Sequence, residues 1–176
     1  STIAGRVRDL ESGEILGQII SAQRDMGVRI SNIVMMGIGE PLDNYDNVMK
    51  FLRLVGDEAG LNIGYRHISL STCGIADKID LLAKKDLPIT LSISLHAAND
   101  EVRSSIMPIN KKWNIDSLLD ACKRYFAATG RRISFEYTLI AGKNDSRDAA
   151  LRLASLLNSR LRDKNANEPF PIHVNL

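Results

Sequence analysis

Apolar residues recur along the chain in two alternating rhythms, one helical and one extended. Over residues 11–26 the spacing of Ile15, Leu16, Ile19, Ile20 and Met26 puts them on one helical face, with Ser12 as candidate N-cap and Gly27 as stop. A strand over 32–36 follows. Next comes a helix from about Asp46, in which Val48, Phe51, Leu52 and Val55 form one buried stripe. The alternation continues with strand 67–71, helix 76–84, strand 89–94, helix 115–128 after Asn114, strand 132–139, helix 146–161 and strand 170–176. Strands separated by helices need crossover connections, so the pattern predicts parallel strands with right-handed crossovers in an α/β layer or barrel. The polar stretch 163–171, with its two prolines, reads as a surface loop rather than a domain boundary.

Composition narrows the class. The chain has 176 residues, 44% of them hydrophobic, enough for one core. Its apolar runs are strand-sized, far short of the roughly 20 residues that cross a bilayer, and no basic region followed by an apolar run opens it. The expectation is a soluble, cytoplasmic protein with no membrane partner. Cys73 and Cys122 have no Cys or His at metal-ligand spacing and read as buried structural thiols. The net charge is only +2, from 23 basic and 21 acidic residues, so any nucleic-acid surface must be local. The chain opens at Ser1 and closes at Asn175-Leu176 in what reads as mid-strand, which suggests a fragment.

Candidate chemistry gathers at strand ends. Gly37-Ile38-Gly39-Glu40-Pro41-Leu42 directly follows the apolar run 32–36. Its glycines let backbone approach a ligand closely, Glu40 supplies a full negative charge, and Pro41 stiffens the entry to the next helix. An ordinary tight turn is the other reading of that segment. Ser71-Thr72-Cys73-Gly74 ends the second strand, Ser94-Leu95-His96 ends the third, and Glu136-Tyr137-Thr138 lies within the fourth. In parallel α/β folds ligands collect outside the carboxyl ends of strands. Taken singly, Ser71 and Thr72 also suit helix capping, and His96 also suits a structural role. As a set they describe a ligand site.

At these residues the sequence resembles a known family. Met35-Met36-Gly37-Ile38-Gly39-Glu40-Pro41-Leu42, Leu70-Ser71-Thr72-Cys73-Gly74, Ser92-Ile93-Ser94-Leu95-His96-Ala97 and Met107-Pro108-Ile109-Asn110-Lys111-Lys112 resemble the radical S-adenosylmethionine RNA methyltransferases, across the whole chain in order and spacing. That branch methylates carbon 2 of an adenine in large-subunit ribosomal RNA and in certain transfer RNAs. A relative, the chloramphenicol-florfenicol resistance methyltransferase, acts on carbon 8. The resemblance implies a partial (β/α) barrel of the radical S-adenosylmethionine type, with parallel strands and outer helices. It assigns Gly39 and Glu40 to the methionine end of S-adenosylmethionine, where a carboxylate meets the cationic amino group. Ser71, Ser94, Leu95 and His96 match the family's other cofactor-contacting positions, through hydroxyl and main-chain groups. His96 alternatively organises its loop by hydrogen bonding.

The family's CxxxCxxC run, whose thiolates hold a [4Fe-4S] cluster, has no counterpart here, and Cys73 and Cys122 match no cluster position. The resemblance therefore places residues 1–176 in the centre of a radical S-adenosylmethionine core, after the cluster-binding loop and before a C-terminal segment with a methyl-carrying cysteine. It implies that this chain is inactive unaided and holds neither metal ligands nor catalytic cysteines. Lys111, Lys112 and Trp113 are candidate contacts to ribosomal or transfer RNA by charge and stacking; Arg103, Arg131 and Arg132 read better as solvated surface. Open strand edges suggest that the fragment dimerises. Two other functions suit the same residues. One is an α/β-barrel enzyme acting on a small phosphorylated or amino-bearing ligand, with Glu40 and His96 as acid and base. The other is a non-enzymatic RNA-binding module.

Overall fold

The computed structural model describes residues 5, 7–162 and 168–176. The described residues form six α-helices and five strands, alternating except where α4 and α5 follow one another: α1 Ser12–Met26, β1 Ile33–Met35, α2 Tyr45–Val55, β2 Ile68–Thr72, α3 Ala76–Ala83, β3 Thr90–Ser94, α4 Asp100–Ile106, α5 Ile115–Thr129, β4 Ile133–Glu136, α6 Arg147–Arg160 and β5 Ile172–Asn175. The strands form one sheet in the order β1-β2-β3-β4-β5, and the registered pairs β1/β2, β3/β4 and β4/β5 run parallel. The α/β class expected from the alternation is the class observed. By contacts the chain divides into two compact units, Ser1–Ser71 with Pro88–Thr90, and Thr72–Leu87 with Leu91–Leu176.

The first unit packs α1 on α2. Helix α2 is amphipathic as its spacing dictates and buries Tyr45, Val48, Phe51, Leu52 and Val55. Helix α1 departs from its expected face: Ile19 is buried, whereas Ile20 and Met26 are exposed. Its N-cap is Glu11, not Ser12, which is buried inside the first turn. The Glu11 N–H donates to the Glu14 carboxylate at 2.8 Å, and Arg8 donates to the same carboxylate at 2.7 Å. The Arg8 hydrogen bond, then that of the Glu11 backbone, holds the Glu14 carboxyl down to about 2. Gly27 ends the helix at φ 64°, as its position predicts.

In the second unit α3 packs on α5, and α5 buries Ile115, Leu118, Leu119, Ala121, Cys122 and Tyr125. Leu91, Ser92 and Ile93 of β3 are consecutive and all buried, the mark of a strand covered on both faces. Helix α4 has no counterpart in the periodicity, since its seven residues are too few to show one. Its signal is chemical: Asn99 Oδ1 accepts from the Val102 N–H at 2.9 Å, and Asp100 and Glu101 sit in the positive first turn. Strand β4 stops at Glu136 instead of running to Leu139. The Tyr137 N–H still donates to the Asn175 carbonyl, but the Thr138 N–H goes to the His96 ring and the chain turns away. Of the proposed surface loop 163–171, residues 163–167 lie outside the described residues, as do four of the first five. No helix among the described residues is long and apolar enough to cross a membrane.

Gly74 joins β2 to α3 at φ +103°, where a Cβ would lie 2.9 and 3.0 Å from the Leu118 methyls and 3.4 Å from the Arg103 guanidinium. Gly74→Ala is therefore expected to lower stability by about 2 kcal/mol or more, from backbone strain together with overpacking. Urea denaturation measures it, and an unchanged midpoint would refute the account.

Candidate functional site

In the first unit, β1 hands over to a loop in which Met36, Gly37, Ile38 and Gly39 are all exposed. Gly39 stands at φ +108°, a conformation that disfavours any side chain, and open space surrounds the place a Cβ would take. Glu40 is half-buried. Its Oε1 accepts from the Leu42 N–H at 3.1 Å, and its carbonyl accepts from the Asp43 N–H at 3.1 Å. Fully buried Leu42 and the start of α2 anchor that turn from behind. The carboxylate is thus held at the base of a loop whose tip is open. Met35 pairs with Leu70 across the parallel β1/β2 ladder, so the loop and Ser71 leave the strands at the same end. Ser71, one residue before the end of β2, is 7% exposed.

The second unit contains Ser94, Leu95 and His96. Leu95 is fully buried while Ser94 and His96 are half-buried, and the Glu136 carbonyl accepts from the backbone N–H groups of Leu95 and His96 at 3.0 and 3.2 Å. His96 adopts φ 57°, in the left-handed region. Its Nδ1 accepts from the Thr138 N–H at 3.0 Å, so the neutral ring carries its proton on Nε2. Burial, then the Arg103 cation, pushes its pKa down, against a smaller opposing effect of Glu136. Because the folded pKa lies below the unfolded value of about 6.5, this group's contribution to stability is present above that value. It is lost as pH falls through it towards the folded one.

Arg103 overturns an expectation. Rather than belonging to a solvated basic surface, it is fully buried. Nε donates to the Leu95 carbonyl (3.1 Å), one terminal nitrogen to Asn110 Oδ1 (2.8 Å) and the Trp113 carbonyl (3.4 Å), and the other to the carbonyls of Cys73 (2.7 Å) and Ser94 (3.1 Å). Every donor of the fork is used. Asn110 is itself buried and donates to Asp100 Oδ1 and Ser104 Oγ, both at 2.9 Å, while Asp100 Oδ1 also accepts from the Ile115 N–H at 2.9 Å. The Met107-to-Lys112 segment therefore carries an internal brace. Lys111 and Lys112 are exposed and Trp113 half-buried; the Lys112 ammonium sits 4.0 Å from the centre of the Trp113 ring, a cation–π contact.

The two thiols differ from each other. Cys122 is fully buried and its pKa is pushed up to about 12 by that burial, as a structural thiol requires. Cys73 is only half-buried, against expectation, because it lies in the turn whose carbonyl Arg103 holds. No three His, Cys, Asp or Glu side chains among the described residues are grouped to hold a metal ion.

Residues 5–154 match the model of the Radical SAM superfamily. A probable dual-specificity RNA methyltransferase RlmN of Clostridium acetobutylicum is 60% identical over 161 residues, 92% of this chain and 47% of that protein. Another so named, from Clostridium novyi, is 58% identical over 89% of this chain and 46% of its own length. The crystal structure of a radical SAM methyltransferase from Sphaerobacter thermophilus superposes with a TM-score of 0.89 at 42% identity, covering 99% of this chain and 49% of that one. The chain thus spans just under half the length of the curated relatives it matches.

Removing the Arg103 fork would leave several buried carbonyls unpaired. Arg103→Met is expected to cost at least about 3 kcal/mol, with Arg103→Lys recovering only part because an ammonium cannot span the fork. Chemical denaturation decides, and a variant as stable as the parent would contradict the assignment.

Proposed function

The chain belongs to the Radical SAM superfamily, and on that footing we propose that it is the central part of a methyltransferase that acts on an adenine of RNA. The substrate is large-subunit ribosomal RNA, with transfer RNA as a second, and carbon 2 is the methylated position. The observation that carries the cofactor half is the Glu40 loop, a fixed carboxylate beside an open glycine at φ +108°. The names of the relatives carry the RNA half.

The residues of the first unit fit S-adenosylmethionine, which when bound supplies the methyl group. Glu40 receives hydrogen bonds from its amino group, a charge-assisted contact, and Gly39 lets the backbone approach without a side chain in the way. The hydroxyl of Ser71, near the carboxyl end of β2, suits an oxygen of the ligand. In the second unit, Ser94, Leu95 and His96 are assigned to the cofactor as well, through main-chain groups and the Nε2–H of the ring. Lys111 and Lys112 are assigned to RNA phosphates. Trp113 stacks less freely than its sequence position suggests, since Lys112 already lies against its ring. The cluster ligands are assigned to a part of the protein outside this chain, as the resemblance implies, since the family's CxxxCxxC run has no counterpart in this sequence.

The test uses the full-length protein and its Glu40→Gln variant. Calorimetric titration with S-adenosylmethionine is expected to show binding weakened roughly tenfold or more by the variant, the value of a charge-assisted bond. Mass spectrometry of ribosomal RNA from cells relying on the variant is expected to show loss of 2-methyladenosine. Equal binding by both proteins would refute the cofactor assignment, and an unmodified adenine with the parent protein would refute the RNA assignment.

A further inference from the structure

Asn144 lies in the connection between β4 and α6, where Gly142-Lys143-Asn144-Asp145 reads as an ordinary polar turn. It is nevertheless buried, with 3% exposure. Its Nδ2 donates to the carbonyls of His96 at 2.7 Å and Thr138 at 2.8 Å, and its Oδ1 accepts from the Ile140 N–H at 2.6 Å. Its own carbonyl accepts from the buried Tyr137 hydroxyl at 3.0 Å. A residue that merely closed a turn would bond within that turn. This one reaches 48 residues back to the backbone of His96.

The two segments clamped by Asn144 are the two that define the imidazole. His96 stands at φ 57°, a left-handed conformation that a non-glycine residue keeps only where its surroundings impose it. The Thr138 N–H occupies Nδ1. By holding the carbonyls of both residues, the Asn144 amide fixes the backbone beneath the ring and the donor that meets it. Nδ1 is taken by the Thr138 N–H and the ring is half-buried, which leaves the Nε2–H as the ring's other donor. We propose that Asn144 is a positioning residue that holds His96 as the Nε2–H tautomer, so that the ring donates one hydrogen bond to an acceptor oxygen of bound S-adenosylmethionine. A carboxylate and a ribose hydroxyl share that acceptor chemistry. The inference rests on the reading of His96 as a cofactor contact.

Nitrogen-15 NMR of the imidazoles tests it, and only three histidines need to be distinguished. In the parent chain, His96 is expected to show an unprotonated Nδ1 and a protonated Nε2 near neutral pH. In Asn144→Ala the two nitrogens should move towards the average of exchanging tautomers, and S-adenosylmethionine should bind roughly tenfold more weakly, the scale of one lost bond to a charged or polar group. His96→Asn, which tolerates the left-handed backbone, should weaken binding by a similar factor, and the double variant by no more than either alone. If Asn144→Ala does not fold, Asn144→Asp keeps the acceptor for Ile140 while removing both donors. Movement of the His96 nitrogens with methionine alone identifies the carboxylate as acceptor, and movement with 5′-deoxyadenosine alone identifies the ribose. An unchanged His96 spectrum in the variants, or losses that multiply in the double variant, would overturn the proposal while leaving His96 a cofactor contact. A displaced tautomer with unaltered affinity in His96→Asn would instead refute the cofactor contact, and the donation to ligand with it.

Discussion

A parallel strand that ends in the interior leaves carbonyl oxygens pointing at nothing, and in the second unit one guanidinium takes them. Arg103 holds the carbonyls of Cys73, Ser94, Leu95 and Trp113 and the side chain of Asn110, with no carboxylate of the described residues bonded to it. A buried cation normally costs several kcal/mol. Here each N–H meets an oxygen, and the oxygens would be as costly to strand as the charge. The constraint propagates outward. Gly74 must be glycine because the fork and Leu118 occupy the space of a Cβ. Asn110 must be an amide because it accepts from the fork and donates to Asp100 and Ser104.

The same cation shapes the chemistry of its neighbours. Ser94 and Leu95 have their carbonyls fixed from below, and the chain then turns into the left-handed backbone of His96. Burial, then Arg103, pushes the pKa of that imidazole down, and in its neutral form, with Nδ1 accepting from the Thr138 N–H, it is a directional Nε2–H donor. The first unit solves a different problem by different means. Its charge, Glu40, sits on a turn whose backbone is set by Gly39 and anchored by Leu42. The first unit thus offers an acceptor carboxylate, and the second, by itself, offers a ring N–H donor.

Much of this was legible in the residues themselves. Periodicity located the long helices and all five strands, since stripes such as Val48, Phe51, Leu52 and Val55 have one physical interpretation. The Glu40 loop showed itself through residue types a connecting turn does not need. What escaped was set by tertiary context. Arginine is so often solvated that Arg103 looked like surface, and nothing local reveals a fork turned inward. Asn144 has the composition of a turn, and its bond to His96 spans too much chain for any local pattern. Strand β4 ended early because Thr138 donates to a side chain instead of the sheet, a choice invisible in its β-favouring neighbours.

The central proposal is that strand-end residues, in each unit taken by itself, are contacts for S-adenosylmethionine. Amide chemical-shift mapping of the labelled protein during titration with S-adenosylmethionine tests it most directly. The account predicts saturable shifts concentrated at Gly39, Glu40, Ser71, Ser94, Leu95 and His96, with Lys111 and Lys112 unmoved. Shifts confined to residues elsewhere, or none at those six as the ligand saturates, would contradict it.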